Sequence, residues 1–165
     1  MPTYQRQTTV VAPLEDVFDF HSHVSGLVAV TPAWLGMRVE SVVGPDGGPD
    51  PDVLEAGSEV TLSVRPFGVG PRQRWTAAIV DRELEDGAAY LRDEMVRGPF
   101  ERWEHTHSFV ADGDATVVRD RLEYDLPTPL GDIVGPIARV GLEPMFRARH
   151  RTTRALLEDD RWERS

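Results

Sequence analysis

The stretch from Arg92 to Pro127 constrains this chain more than any other, because it holds two alternating runs joined at Asp112-Gly113. An Asp-Gly pair between alternating runs is the strongest short-range hairpin signal, since a two-residue turn needs residues that tolerate positive φ. With these two residues at the turn, Trp103 faces Leu122, His105 faces Asp120, His107 faces Val118 and Phe109 faces Thr116. Side chains alternate along a strand, so all eight share one face. The other face carries Arg102, Glu104, Thr106, Ser108, Arg119, Arg121 and Glu123 and belongs to solvent. The first face is therefore the inner one, although it contains two histidines and an aspartate. A buried polar group costs free energy unless it is partnered. A turn at 97–99 sets Asp93 of the preceding strand opposite Trp103, one diagonal step from His105.

The rest of the chain supplies the partners of this hairpin. Residues 3–12 alternate weakly and read as a first strand, ended by Ala12-Pro13. Pro13 suits a helix start, and Leu14, Val17, Phe18 and His21 recur at helical spacing, giving a helix over 13–22. A second short helical turn covers 26–30. Further strands are expected over 37–43, 59–65, 73–81 and 89–96, and the run GPDGGPDPD at 44–52 is a loop. Beyond Pro127 an approximate helical stripe runs through Ile133, Ile137, Val140, Met145, Arg149, Thr152 and Leu156. Gly141 and Pro144 interrupt it, which predicts a kink or break at 141–144 before a helix to about Asp159.

The order is thus one strand, two short helices, six strands and a long C-terminal helix. A lipocalin has no helices after its first strand, and a cone-shaped fold of the nuclear-transport-factor type begins with helices. What remains is an α+β helix-grip architecture: a curved antiparallel sheet of seven strands around the last helix, in a single domain spanning 1–165. The segments VFDFH (17–21), TPAWLGMRV (31–39), RW (74–75), DEMVRGPFERWEHTHSF (93–109), RDRLEYDLPTPLG (119–131) and MFRAR (145–149) together resemble the SRPBCC superfamily of START-like, helix-grip domains, in its polyketide cyclase/dehydrase-like, ligand-binding branch. The resemblance implies a cavity between sheet and helix that takes an apolar or aromatic small molecule. It does not imply a reaction, because one fold carries many functions. Pro144 within the last helix is a departure from the family pattern.

Composition narrows the partners. There are no cysteines, so disulfides and thiolate metal sites are excluded. A formal net charge of -10 argues against nucleic acid and anionic membranes. No apolar run reaches spanning length and the segment MPTYQRQ lacks a signal-peptide core, so the cytoplasm is the expected location. All 18 basic residues are arginine, and lysine and asparagine are absent. GC-rich codon usage is one explanation. The acidity favours the other, a halophilic surface adapted to a salt-rich cytoplasm. On that reading the melting temperature rises markedly between dilute buffer and molar potassium chloride, and a flat response counts against it.

Three readings of the inner face compete. Asp93, His105 and Asp120 could form a proton-transfer group for a cyclase or dehydratase, since burial perturbs their pKa values. They could instead be a hydrogen-bonded network that fixes the hairpin register, which is the reading preferred here. A closed core with a protein-binding surface is the third. The pairs His21-x-His23 and His105-x-His107 invite a metal, with Asp93 or Asp120 completing the set. His21-x-His23 sits at a helix end where that spacing does not share a face, and a core histidine satisfied by Asp120 explains the other pair, so no metal or other cofactor is expected. No Ser-His-Asp or Cys-His nucleophile motif occurs. The ligand-binding candidates are Trp75, Asp93, Met95, Trp103, His105, His107, Phe109, Asp120, Tyr124, Met145 and Arg149, the last either solvated or a counter-charge to Asp93 or Asp120.

Overall fold

The computed structural model describes the backbone of residues 3–125, 130–159 and 162, and the side chains of all of these except 130–140. Its strands are β1 (Thr3–Val10), β2 (Arg38–Val43), β3 (Glu59–Val64), β4 (Gln73–Glu85), β5 (Ala88–Arg97), β6 (Arg102–Asp112) and β7 (Ala115–Asp125). Helices α1 (Leu14–His21) and α2 (Val24–Val30) lie between β1 and β2, and α3 (Leu130–Glu158) follows β7. The sheet order is β1-β7-β6-β5-β4-β3-β2, with every pair antiparallel. Strands β2 to β7 are thus a continuous meander, and β1 returns to the free edge of β7. The two short helices carry the chain from one edge of the sheet to the other. This is the helix-grip fold expected from the order of elements.

Helices α1 and α2 pack closely because Gly26 allows it. A methyl group there would stand 2.0 Å from the Phe20 carbonyl oxygen, a backbone atom that cannot step aside. Leu14, Val17 and Phe18 of α1 bury against the inner face of the sheet with Leu62, Ile79, Leu91, Phe109 and Val118. A second cluster joins Tyr4, Leu122 and Tyr124 to Leu142 and Phe146 of α3. Each such side chain contributes about 1.5–3 kcal/mol by leaving water.

The inner and outer faces of the β6–β7 hairpin are as the alternation requires, with His105, His107, Phe109, Thr116, Val118, Asp120 and Leu122 buried. The register differs from the expected one. The two turn residues are Gly113 and Asp114, so His107 lies opposite Asp120, His105 opposite Leu122 and Trp103 opposite Tyr124. Gly113 takes φ 64°, whereas Asp114 stays out of the left-handed region. That is the hairpin turn with glycine at its first central position. The neighbouring pair slides as well, placing Asp93 directly opposite His105 and not Trp103. Both slips are even, so no side chain changes face.

Helix α3 runs unbroken through Gly141 and Pro144, against the expected interruption. Pro144 is exposed, so the hydrogen bond it forfeits faces water. The residues around it are held from the sheet. Glu143 accepts hydrogen bonds from the Tyr4 hydroxyl and Arg6 Nη1 of β1, and Phe146 stacks on Tyr4 with centroids 5.2 Å apart. Burial of Leu142 and Phe146 outweighs the roughly 3 kcal/mol that an interior proline costs. The buried spine of α3 is Leu142, Phe146, His150 and Thr153. It sits one residue, about 100°, from the expected stripe, whose Met145, Arg149, Thr152 and Leu156 are half-buried flanks. Ile133, Ile137 and Val140 fall outside the described side chains. Among the described residues no helix is long and apolar enough to cross a membrane.

Two 3-10 turns, Ala33–Leu35 and Pro66–Gly68, meet beside β3. The Arg65 amide donates to the Leu35 carbonyl at 2.9 Å. Phe67 is 75% exposed at φ 56° and stacks on Trp34 with centroids 5.2 Å apart.

Candidate functional site

Between the inner face of the sheet, α2 and α3 lies a cavity of about 150 Å³. Its walls are mostly aliphatic and aromatic: Leu27 and Val30 from α2, Leu62, Val64, Trp75, Ala77, Ile79 and Leu91 from the sheet, and Met145 and Phe146 from α3. Asp93, Trp103, His105, His107 and Arg149 also line it, as the sequence suggested. Met95, Phe109, Asp120 and Tyr124 stand outside the lining. Phe109 belongs to the core around Phe18, Tyr124 packs with Phe100, and the Met95 sulfur lies under Gly98.

Asp120 is the hub of the polar groups. It is 3% exposed. Its Oδ1 accepts a hydrogen bond from His105 Nε2 at 2.8 Å. His107 Nδ1 lies 2.9 Å from the same oxygen, an ion-pair contact too oblique for a hydrogen bond. Its Oδ2 accepts a short hydrogen bond from His150 Nε2 of α3. Burial opposes the charge on Asp120, but the charge on His107 and the contacts with His105, His107 and His150 hold its pKa well below the usual carboxylate range. Asp93 stands on the far side of the two histidines, its Oδ2 at 3.8 Å from His105 Nδ1 and 3.6 Å from His107 Nε2.

Charge within this group is unevenly shared. Burial pushes His107 down, yet the carboxylates of Asp120 and Asp93 together lift its pKa to about 9, so it is an imidazolium at neutral pH. His105 is lowered, first by burial and then by the charge on His107, and is neutral. With its Nε2 proton given to Asp120, its Nδ1 carries a lone pair.

Two members of this site lay outside the sequence's ligand-binding candidates: His150 was not singled out, and His21 was weighed only in the His21-x-His23 pair. His150 lies one turn beyond Phe146, and that i+4 spacing was the available signal once Phe146 was placed in the core. His21 gives its Nδ1 to the Val17 carbonyl at 2.8 Å and turns into the cavity, 5.8 Å from the His107 ring. Burial lowers its pKa to about 3, leaving a neutral ring with an acceptor Nε2. His23, two residues on, bonds the Asp19 carbonyl instead. Arg149 is half-buried on the cavity wall, with its guanidinium 5.5 Å from the Phe146 ring centroid, and is not merely solvated.

The sheet gripping α3 over a lined cavity defines the START-like class of helix-grip domains. The chain belongs to the family described as polyketide cyclase / dehydrase and lipid transport, which matches residues 10–148. Among solved structures, a protein from Thermus thermophilus is similar at 20% identity, covering 98% of this chain and 100% of its own, with a TM-score of 0.65. Norcoclaurine synthase from Thalictrum flavum, solved with dopamine and hydroxybenzaldehyde, is similar at 18% identity, covering 98% and 89%, with a TM-score of 0.68. A START superfamily protein from Mycobacterium smegmatis is similar at 14% identity, covering 95% and 97%, with a TM-score of 0.58. No curated protein matches by sequence. At these identities the likeness is one of fold.

Proposed function

We propose that this chain binds an apolar or aromatic small molecule in the cavity between its sheet and α3. The observation that carries the reading is a largely apolar cavity in which His21, Asp93 and His105 gather around His107 at one point of the wall. Apolar walls with a few convergent polar groups suit a ligand that is mostly hydrocarbon with one orienting oxygen or nitrogen. A volume of about 150 Å³ suits a single aromatic ring, since a cavity of about that size holds benzene. The dopamine and hydroxybenzaldehyde found with the norcoclaurine synthase are one-ring aromatics of this kind.

The test is native mass spectrometry of freshly purified protein, followed by titration with hydroxybenzaldehyde monitored through Trp75 and Trp103 fluorescence. A retained small molecule, or saturable quenching that Ala77→Trp weakens by more than about tenfold by filling the cavity, is the expected outcome. Quenching that Ala77→Trp leaves unchanged would place the ligand elsewhere.

A second reading, a cyclase or dehydratase, is favoured by one feature. His105 is neutral, is oriented through Nε2 by Asp120 and keeps an unprotonated Nδ1 on a cavity wall. That is the arrangement of a general base, which needs geometry first and pKa second. Turnover of an aromatic polyketide that disappears in His105→Gln separates this reading from binding alone.

A further inference from the structure

We propose that Asp93, His105 and His107 form a binding site for one divalent transition-metal ion, zinc or ferrous iron, with Asp120 orienting both imidazoles from behind.

The donor atoms of the three residues lie within 4.8 Å of one another. Asp93 Oδ2 stands 3.8 Å from His105 Nδ1 and 3.6 Å from His107 Nε2. Both separations are too long for a hydrogen bond. They suit a shared ion: bonds of about 2.0–2.1 Å to tetrahedral corners put donor atoms about 3.3 Å apart. Small side-chain rotations would draw the three donors onto one ion.

A second, independent feature lies on the far side of the rings. A metal-binding histidine commonly gives its other ring nitrogen to a carboxylate, which fixes the tautomer and raises its basicity. Here one carboxylate faces both rings, bonded to His105 and in ion-pair contact with His107. Asp120 Oδ1 accepts from His105 Nε2 at 2.8 Å and lies 2.9 Å from His107 Nδ1. The nitrogens left over, His105 Nδ1 and His107 Nε2, are the two that face Asp93. The sequence posed a histidine satisfied by Asp120 and a histidine binding metal as alternatives. Each ring has two nitrogens, so the geometry accommodates both.

The donor set selects the ion. Two imidazoles and one carboxylate suit zinc or ferrous iron, whereas calcium and magnesium favour all-oxygen cages. All three ligands line the cavity, so the fourth position opens onto it, as in catalytic rather than structural sites. The charges leave room for an anionic ligand there. Binding would release the Nε2 proton of His107 to solvent; Asp93 and Asp120 then offset two of the three positive charges of a dication and Arg149, and an oxyanion in the cavity would offset the third. The ion would also occupy the His105 lone pair, so the metal-bound protein could not use it as a base.

The site stands apart from the organic-ligand reading, because metal is measured with no organic molecule present. Chelator-treated protein is titrated with zinc by calorimetry, and its metal content is measured after gel filtration. One zinc per chain is expected, bound at least about 100-fold more weakly by Asp93→Asn and about 10–100-fold more weakly by Asp120→Asn. X-ray absorption at the zinc edge of the loaded wild-type protein, which needs no variant to fold, should show two imidazoles. Wild-type protein that retains no zinc overturns the proposal. So does binding that Asp93→Asn leaves unchanged, or an all-oxygen coordination shell, since either places zinc on the acidic surface.

Discussion

Asp120→Leu is expected to destabilise the protein by about 3–5 kcal/mol, the range for removing one partner of a buried charge pair. The sequence register left a single histidine dependent on Asp120. The structure gives it three, from β6 and α3. Leucine fills the space but strands all three imidazoles and deprives His107 of a counter-charge. Asp120→Asn should cost much less, about 1–2 kcal/mol. Its oxygen can still accept from His105, and its amide can donate to His150 Nε2 in the other tautomer. Urea unfolding of the three proteins checks the ranking, and a leucine variant within about 1 kcal/mol of wild type would falsify the role of Asp120 as hub.

The second large effect is on pH, measured in chelator-treated protein. Stability is expected to peak near the ordinary histidine pKa and to fall on both sides. His21 is lowered from 6.5 to about 3, and His105 is lowered too. Below pH 6.5 the unfolded chain gains protons that the folded chain refuses, so stability falls from pH 6.5 towards 3. Asp120, held well below 3.8, adds its own loss only below that value. His107 acts in the opposite direction. Its pKa of about 9 in the folded state exceeds the unfolded 6.5, so its contribution is complete below pH 6.5 and is lost as pH rises through 9. Urea midpoints from pH 4 to 10 should trace this dome. His21→Leu should flatten the acid limb and leave the alkaline limb in place. An unchanged acid limb would show that His21 is not the refused protonation site.

Faces were readable from the sequence where registers were not, and the reason is physical. Burial of alternate residues fixes which side of a strand faces the core, but a slip of two residues leaves that pattern intact. Choosing between Asp112-Gly113 and Gly113-Asp114 therefore rested on turn chemistry alone, and both pairs suit a hairpin. The cost fell on the pairing of His105 with Asp120. The hydrogen bond exists, yet it runs diagonally, and His107 takes the opposite position. His150 was hidden for another reason. The rotation of α3 about its axis is set by contacts with β1 through Tyr4 and Arg6, which no local spacing records, and an error of one residue turned His150 away from the site. Helix continuity at Pro144 was masked in the same way, because the forces that hold it come from a strand 134 or more residues earlier in the chain.

The clasp between Trp34 and Phe67 stands close to one part of the cavity wall. Leu35 and Val64, close to the two rings in sequence, both line the cavity. Phe67 is held in a left-handed conformation, which costs a residue with a side chain about 1–2 kcal/mol. Stacking on Trp34 returns about 0.5–1.5 kcal/mol. The two nearly cancel, so parting the rings lets the backbone relax by about as much as the contact loses. A contact balanced in this way adds little net stability, so the fold around it rests on the sheet beneath.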